Sequence, residues 1–269
     1  MHALLNVAIM AARRAGETLV RKSRNLDQLK VEEKGFNDFV SDADHAAEQA
    51  VIATVQKHYP DHAFLAEESG VSGESDHVWI IDPLDGTTNF LHGFPVFAVS
   101  IGVQVAGRIE HAVVYDPLRQ ELFTASRGAG AQLDGRKIRV SGCRHLARAL
   151  VGTGFPFRNA DTDLEPYMRM LAKVLRNSNG LRRPGAAALD LCYVAAGRLD
   201  AFFESGLSPW DIAAGSLIIR EAGGIISGLD GSENYMDTGH VLCGTPKVYA
   251  EMARACAPEI REMLAAAQP

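Results

Sequence analysis

The stretch WIIDPLDGTTNF, residues 79–90, decides the fold and the chemistry of this chain. An apolar strand ends at Asp82, the proline after it blocks an immediate helix, and Gly86 permits a close turn. The carboxylates of Asp82 and Asp85 and the carbonyl oxygen of Leu84 can therefore converge. Hard oxygen ligands of this kind suit Mg²⁺, so the stretch predicts a cation site.

The residues after the turn predict a phosphate site beside the cations. If Thr87, Thr88 and Asn89 open a helix, their unpaired backbone N–H groups and the positive end of the helix dipole point to the same place. A purely structural explanation stays open, because Asp-Gly is a common turn and a single aspartate is more often a helix cap than a ligand.

The composition is that of a large globular protein. The 269 residues are 47% hydrophobic and 22% charged, enough for one broad domain or two closely packed ones. The net charge of −6 and the pI of about 5.8 argue against an extensive nucleic-acid surface. The apolar residues 1–10 lack a leading basic region, no apolar run reaches membrane-spanning length, and the four cysteines show no C-x-x-C spacing. We expect a cytoplasmic protein with reduced cysteines.

Hydrophobic periodicity divides the chain near residue 143. Apolar residues at helical spacing predict helices over 4–19 and 41–55. A run of predicted strands follows, at 63–65, 77–82, 96–105, 109–115 and 120–125. Beyond residue 142, predicted strands at 150–152, 200–204, 224–227 and 241–244 alternate with helices at 164–175, 186–196, 211–222 and 247–266. We therefore predict an antiparallel-sheet subdomain over 1–142, with most of the metal ligands, and a mixed α/β subdomain over 143–269.

Residues 79–90 resemble the metal-binding motif of the inositol monophosphatase family, a group of Mg²⁺-dependent, lithium-sensitive phosphatases. The resemblance covers residues 34–224, and residues 37–40 and 187–191 are most similar to bacterial members. It implies a layered α+β sandwich with alternating helix and sheet layers, an active site between an antiparallel and a mixed sheet, and a homodimer.

The resemblance also implies a set of ligands for two or three Mg²⁺ ions. By themselves, Glu67 reads as a solvated loop acid and Asp211 as a helix cap, but in the family both positions bind metal. Together with Asp82, Asp85 and the Leu84 carbonyl, they would form an acidic cluster whose members raise one another's pKa. Bound cations would remove that repulsion and lower the pKa of a water molecule, which predicts in-line attack of hydroxide on phosphorus.

Three positions are implied to act in catalysis: Asp44, Thr87 and Glu67. In the family, the equivalents of Asp44 and Thr87 pair to orient the nucleophilic water. Ser41 and Asp44 also form an S-x-x-D box, which a helix cap explains equally well. Lys34 resembles a loop lysine near the metals, whereas His92 is interpreted as structural.

The implied substrate-binding residues lie in both predicted subdomains: Gly86, Thr87, Gly185, Ala187, Glu204 and Asp211. Glu204 occupies the position of an acid that hydrogen-bonds the polyol hydroxyls. Ala186 stands where the family usually has Ser or Thr. A hydroxyl contact to the substrate is therefore lost, and we expect a weaker preference for inositol. A sugar phosphatase or a nucleotide phosphatase, acting on fructose bisphosphate or a nucleotide 3′-phosphate, stays the alternative within this enzyme class.

A role of a different class is also implied by the resemblance to bacterial members. These suggest a partner of the transcription antitermination machinery, such as Nus factors or RNA polymerase, and of ribosomal RNA processing. Arg182 and Arg183 are the candidate contact residues, in a basic turn that faces a protein partner or a second subunit. Two solvated arginines are an equally good explanation. Other nucleophile motifs are missing from the sequence, and the Gly152-Thr153-Gly154 segment lacks the third glycine of a dinucleotide fingerprint.

Overall fold

The computed structural model describes residues 2–35, 38–156 and 163–266. The helices are α1 (Ala3–Lys22), α2 (Asp42–Gln56), α3 (Thr87–Leu91), α4 (Glu165–Asn177), α5 (Ala187–Ala195), α6 (Pro209–Glu221), α7 (Tyr235–Thr238) and α8 (Pro246–Ala266). The first strands are β1 (Val31–Gly35), β2 (Asp38–Ser41), β3 (Ala63–Ala66), β4 (Gly70–Ser72), β5 (His77–Asp85), β6 (Ala98–Val105), β7 (Arg108–Asp116) and β8 (Glu121–Ser126). The remaining strands are β9 (Gly130–Leu133), β10 (Arg136–Lys137), β11 (Leu150–Thr153), β12 (Gly180–Arg182), β13 (Ala201–Glu204), β14 (Ile225–Ser227) and β15 (Val241–Gly244).

Within the described residues, the strands form sheets of eight, five and two strands. The large sheet has the order β10-β9-β8-β7-β6-β5-β3-β4, and it is antiparallel except where β3 runs parallel to β5. Ala106 and Gly107 join β6 to β7 with φ values of 47° and 80°, as a tight hairpin requires. The smaller sheet has the order β12-β11-β13-β15-β14 and mixes parallel and antiparallel pairs.

Side chains on successive strand residues point to opposite faces, and this alternation builds the layers. On β7, Val113 packs with α1 and α2, whereas Val114 packs with α5 and α6. On β13, Phe202 packs with α5 and α6, whereas Phe203 packs with α4 and α8. The two large sheets therefore alternate with three helical layers. This arrangement confirms the predicted layered α+β sandwich.

Element boundaries differ from the predictions at places where the sequence pattern is short. The strand predicted over 77–82 continues to Asp85, and the helix predicted over 211–222 begins at Pro209. The short strands β1, β2, β4, β9, β10 and β12 were not predicted from the sequence, and Lys34, expected in a loop, lies on β1. These strands carry few apolar residues and have no alternating pattern that would predict them. They are strands because they hydrogen-bond to neighbouring strands.

The subdomain boundary near residue 143 stays a prediction. The eight-stranded sheet lies before it and the five-stranded sheet after it. Helices α5 and α6 contribute to one hydrophobic core shared by both sheets. All four cysteines lie in the described part and are free thiols. Among the described helices, none combines the length and the apolar character needed to cross a membrane.

The first prediction tests the contact between the eight-stranded sheet and α6. A Cβ on Gly102 would lie 2.9 Å from the Cβ of Ala213, and neither backbone can yield easily. We expect Gly102→Ala to lower the free energy of unfolding by about 1–3 kcal/mol through overpacking. Gly142→Ala is the matched control, because nothing lies within 4 Å of its added methyl group. Urea unfolding with and without Mg²⁺ measures both variants, and equal stabilities would contradict the packing argument.

Candidate metal centre

A bulge in β5 brings two aspartates to the same face of the large sheet. Asp82 lies opposite Ser100 of β6 and Asp85 lies opposite Ala98, so β5 has one extra residue over this span. In a regular strand, side chains three residues apart point to opposite faces, and the extra residue turns Asp85 back toward Asp82. Pro83 is tolerated within the strand because a bulge does not require its missing N–H group.

The third acid comes from α6, which packs against this face of the sheet. The Ser100 hydroxyl donates to the carbonyl oxygen of Trp210 at 3.2 Å, which places the start of α6 beside β5. Asp211 is the third residue of α6 and not its N-cap, contrary to the sequence expectation, because Ser208 is the N-cap. Asp82, Asp85 and Asp211 are all buried, and one carboxylate oxygen from each lies within 4.8 Å of the others.

Backbone N–H groups fix the orientation of each carboxylate in this cluster. Asp82 Oδ1 accepts from the N–H of Leu84 at 2.9 Å, and Asp211 Oδ2 accepts from the N–H of Ser208 at 2.7 Å. Asp85 accepts from the first turn of α5, at 3.2 Å from the N–H of residue 187 and 2.7 Å from that of residue 188. These backbone donors preorganise the three acids. The donor to Asp211 belongs to an S-x-x-D capping box that the sequence shows, whereas the donors to Asp85 come from a segment about a hundred residues away.

Glu67 reaches the cluster from the end of β3. Its backbone N–H donates to the carbonyl oxygen of Ile81 at 3.1 Å, and its side chain hydrogen-bonds that of Asp82. Two carboxyl groups can share a hydrogen bond only if one of them holds a proton. The buried Glu48 supports the turn, since its Oε2 accepts from the N–H of Glu68 at 2.9 Å. The sequence analysis missed Glu48, although it follows Asp44 by one helical turn.

Burial and mutual repulsion raise the pKa of Asp82 well above its ordinary value. Burial is the main cause, followed by the negative charges of Glu67, Asp85 and Asp211. Without cations this cluster resists ionisation, whereas divalent ions would allow all its members to be charged. A donor set of buried carboxylates, with the Leu84 carbonyl beside it, has the chemistry that Mg²⁺ prefers.

Asp44 combines the two roles that the sequence left open. Its Oδ2 accepts from the N–H and the hydroxyl of Ser41 at 2.8 and 2.7 Å, which completes a capping box on α2. Its Oδ1 accepts from the hydroxyl of Thr87 at 3.0 Å. That hydroxyl also lies 3.1 Å from the carbonyl oxygen of Leu84, so its single proton has two possible acceptors. Burial raises the pKa of Asp44 despite these hydrogen bonds.

Glycines bring residues 182–186, the loop before α5 that we expect to bind substrate and refer to as the substrate loop, close to residues 79–90. Gly86 has φ 96° and is the N-cap of α3, whose first residue is Thr87, as predicted. A Cβ on Gly86 would lie 2.9 Å from the carbonyl oxygen of Val96 and 3.3 Å from that of Gly185. Ala186 is the N-cap of α5 and offers no side-chain hydrogen bond.

Glu204, at the end of β13, lies against the backbone of Gly154. Any side chain on Gly154 would overlap the Glu204 carboxylate, so this glycine makes room for it. Burial, followed by the negative charges of Glu204 and Asp85, raises the pKa of Asp190 well above its ordinary value. Oδ1 of Asp190 has no hydrogen-bond partner among the described atoms.

The candidate basic residues occupy different surroundings. The guanidinium of Arg183 lies 5.8 Å from the ring centre of Phe155, and its positive charge partly offsets the rise in the pKa of Asp190. Arg182 is exposed and donates to the carbonyl oxygen of Leu181 at 2.8 Å. Lys34 lies on β1, and its side chain lies outside the described residues. His92 is an exposed residue at the C-cap of α3.

The fold and the acidic centre are those of a known class of phosphatases: the chain belongs to the inositol monophosphatase family, which matches residues 1–262. This confirms the expected resemblance. Among its relatives is the Nus factor SuhB of Pseudomonas aeruginosa, 51% identical over 265 residues, which are 97% of this chain and 98% of that protein.

Solved structures agree with this assignment. The extragenic suppressor protein SuhB from Bartonella henselae is 43% identical and superposes with a TM-score of 0.92, over 95% of this chain and 98% of that one. The staphylococcal protein SaIMPase-II with inositol monophosphate bound is 26% identical and superposes with a TM-score of 0.81, over 97% of this chain and 98% of that one.

The second prediction concerns the stability of the metal-free protein. Because the folded state raises the pKa of Asp82, the cost of ionising this carboxyl is absent below about pH 4 and grows as the pH rises toward the folded pKa. Asp82→Asn removes that cost and keeps the acceptor for the Leu84 N–H. We expect the variant to be more stable than the unaltered protein by about 1 kcal/mol or more at about pH 8 in EDTA.

Thermal unfolding at both pH values measures this difference. The advantage of Asp82→Asn should vanish near pH 4, where both proteins are neutral at this position. Added Mg²⁺ should raise the Tm of the unaltered protein more than that of the variant. A variant that is less stable than the unaltered protein at every pH would contradict the repulsion argument.

Proposed function

We propose that this protein is a Mg²⁺-dependent phosphomonoesterase that hydrolyses inositol monophosphate to inositol and phosphate. The observation that carries the proposal is the buried cluster of Asp82, Asp85 and Asp211, whose oxygen atoms lie within 4.8 Å of one another. Membership of the inositol monophosphatase family supports it, and so does a relative that binds inositol monophosphate. A sugar or nucleotide phosphatase remains the alternative substrate class.

The proposed metal ligands are Glu67, Asp82, the Leu84 carbonyl oxygen, Asp85 and Asp211, for two or three Mg²⁺ ions. Bound Mg²⁺ would neutralise phosphate oxygens and lower the pKa of a water molecule. The charge of the cluster fits this role, since divalent cations offset the repulsion among its buried carboxylates while leaving them ionised. Lithium sensitivity is part of the same proposal.

Asp44 and Thr87 are proposed to orient the attacking water. The Thr87 hydroxyl can donate its hydrogen bond to Asp44 or to the Leu84 carbonyl oxygen, and its one proton cannot make a full hydrogen bond to both. Use of the Leu84 oxygen as a metal ligand would leave the proton to Asp44. The free lone pairs of the Thr87 hydroxyl would then accept a hydrogen bond from water and aim its oxygen at phosphorus.

The proposed substrate residues surround the same space. The backbone around Gly86, Thr87, Gly185 and Ala187 offers donors for the phosphate, beside Asp211. Glu204 would accept hydrogen bonds from the vicinal hydroxyls of a polyol. Ala186 contributes only its backbone there, so we propose a weaker preference for inositol than a Ser or Thr would give.

A panel of phosphomonoesters tests the proposal. The unaltered protein should release phosphate from inositol monophosphate with Mg²⁺. Both EDTA and added lithium should lower that rate. Fructose bisphosphate and a nucleotide 3′-phosphate in the same panel decide the substrate class. Asp85→Asn should lose at least about 10³-fold in kcat, because it removes ligand charge at the reacting phosphate. Normal turnover by Asp85→Asn would refute the site.

A third prediction isolates the water-orienting hydroxyl. Thr87→Ala should lower kcat by about 10²-fold with little change in KM, because the interaction matters mainly in the transition state. Thr18→Ala is the control, since it removes a hydroxyl from an exposed part of α1. If KM rises while kcat stays constant, Thr87 acts only in binding.

A fourth prediction concerns selection of the polyol. Glu204→Gln keeps the shape of the side chain but loses its charge, and hydrogen bonds to charged groups contribute about 1.5–3 kcal/mol. We expect kcat/KM on inositol monophosphate to fall about ten- to a hundredfold. A phosphomonoester without ring hydroxyls should be hydrolysed almost as before. Equal losses on both substrates would show that Glu204 supports the site and does not select the polyol.

We also propose a second function, as a homodimeric partner of Nus factors or RNA polymerase. The similarity to a relative named Nus factor SuhB over 97% of this chain favours it. The exposed Arg182 is the proposed contact residue, and this role requires the cytoplasmic location predicted from the sequence. Arg182→Ala combined with Arg183→Ala should weaken capture of RNA polymerase or dimerisation, whereas Asp82→Asn should stop turnover and leave capture unchanged. No capture by the unaltered protein would exclude this function.

A further inference from the structure

One side chain of the metal motif reaches the substrate loop directly. The Nδ2 atom of Asn89, on α3, lies 2.8 Å from the carbonyl oxygen of Val96, 2.9 Å from that of Pro184 and 3.2 Å from that of Gly185. Pro184 and Gly185 lie 95 and 96 residues further along the chain, immediately before α5. The amide therefore joins two segments that only the fold brings together.

The surroundings determine which way this amide points. An amide nitrogen carries two hydrogens and an amide oxygen carries none. If Oδ1 of Asn89 occupied the position of Nδ2, it would face three carbonyl oxygens without a proton between them. The nitrogen must therefore face the carbonyls, with one hydrogen shared between Pro184 and Gly185. An aspartate at this position would replace three attractions with repulsions.

The substrate loop is shaped to receive this amide. Gly185 has φ 89°, and a Cβ on it would lie 3.0 Å from Asn89 Nδ2 and 3.2 Å from Oδ1. Both the backbone conformation and the close packing therefore require glycine at this position. The loop is held from its other end by Asp85, which accepts the N–H groups of Ala187 and Ala188.

The segment between these two attachments borders the proposed leaving-group site. It contains Gly185 and Ala186, and it follows Arg183, whose charge acts on Asp190 and on Tyr167 beside Glu204. A shift of this loop would move Arg183, whose charge acts on the same two residues as the charge of Glu204. Asp82 and Asp211 have separate backbone donors at residues 84 and 208. The loop and the metal cluster are thus positioned by different contacts, with Asp85 common to both.

We propose that Asn89 is a positioning residue that holds the substrate loop against the metal motif and thereby sets the binding of the alcohol part of the substrate. This inference rests on the proposed phosphatase function for its kinetic consequence, but the tether itself can be measured without turnover. Loss of the amide should free the loop at residues 182–188 and raise KM for a polyol phosphate. Mg²⁺ binding should persist.

Hydrogen exchange tests the tether on the full-length protein. In Asn89→Asp and Asn89→Ala, amides of residues 182–188 should exchange about tenfold faster than in the unaltered protein, because the hydrogen bonds that hold this loop to α3 are lost. Amides of β7 serve as the internal reference and correct for any global loss of stability. Asn177→Asp is the matched control, because it removes an exposed amide that donates to the carbonyl oxygen of Lys173 at 2.7 Å.

Kinetics and Mg²⁺ titration complete the test. For the Asn89 variants, KM for inositol monophosphate should rise about tenfold, and a phosphomonoester without ring hydroxyls should show less than about a twofold change. Calorimetric Mg²⁺ affinity should stay within about twofold of the unaltered protein. Unchanged exchange of residues 182–188 relative to β7 would overturn the tether, even in an active enzyme. Faster exchange in a protein that hydrolyses no phosphomonoester would support the tether and refute the proposed function.

Discussion

The rest of the structure depends on the electrostatic repulsion among the buried carboxylates of the metal centre. Buried carboxylates from two different layers point at one another, and burial strengthens the interaction between their charges. Such a cluster lowers the stability of the protein unless cations or protons neutralise it. The acidic cluster therefore lowers stability locally, and the large hydrophobic core that both sheets share around α5 and α6 offsets that loss.

Rigid elements hold these acids where mutual repulsion would otherwise push them apart. The bulge in β5 turns Asp85 back toward Asp82, and the capping box of α6 directs Asp211 to the same point. Backbone N–H groups donate to each carboxylate, so that their orientations are set before any ion binds. Asp44 is fixed in a similar way, because its carboxylate both caps α2 and accepts a hydrogen bond from Thr87.

The loop before α5 shows how the proposed chemistry is connected across the fold. Asp85 is the last residue of β5 and Asn89 lies on α3 just after it, and both make hydrogen bonds to residues 184–188. Residues that recognise the alcohol part of a substrate can therefore be positioned by the segment that positions the cations. Glycines at 86, 154 and 185 leave the space for these contacts, since any Cβ there would press on a carbonyl, a carboxylate or an amide.

The sequence by itself determined most of the helices and strands through their periodicity, and the DPLDGTTN segment predicted that Asp82 and Asp85 converge, because both follow local rules. The layered α+β class and the place of Asp211 in the cluster were expected from the family resemblance. It also predicted that Gly86 would precede a helix. It could not give the register of β5 against β6, and hence the bulge, since pairing depends on a strand distant in sequence. Glu48 beneath the turn at Glu68 and Asn89 at Pro184 were decided only by the tertiary structure. The physical reason is the same for each: a polar side chain is defined by the backbone group it satisfies, and that group is supplied by another part of the fold.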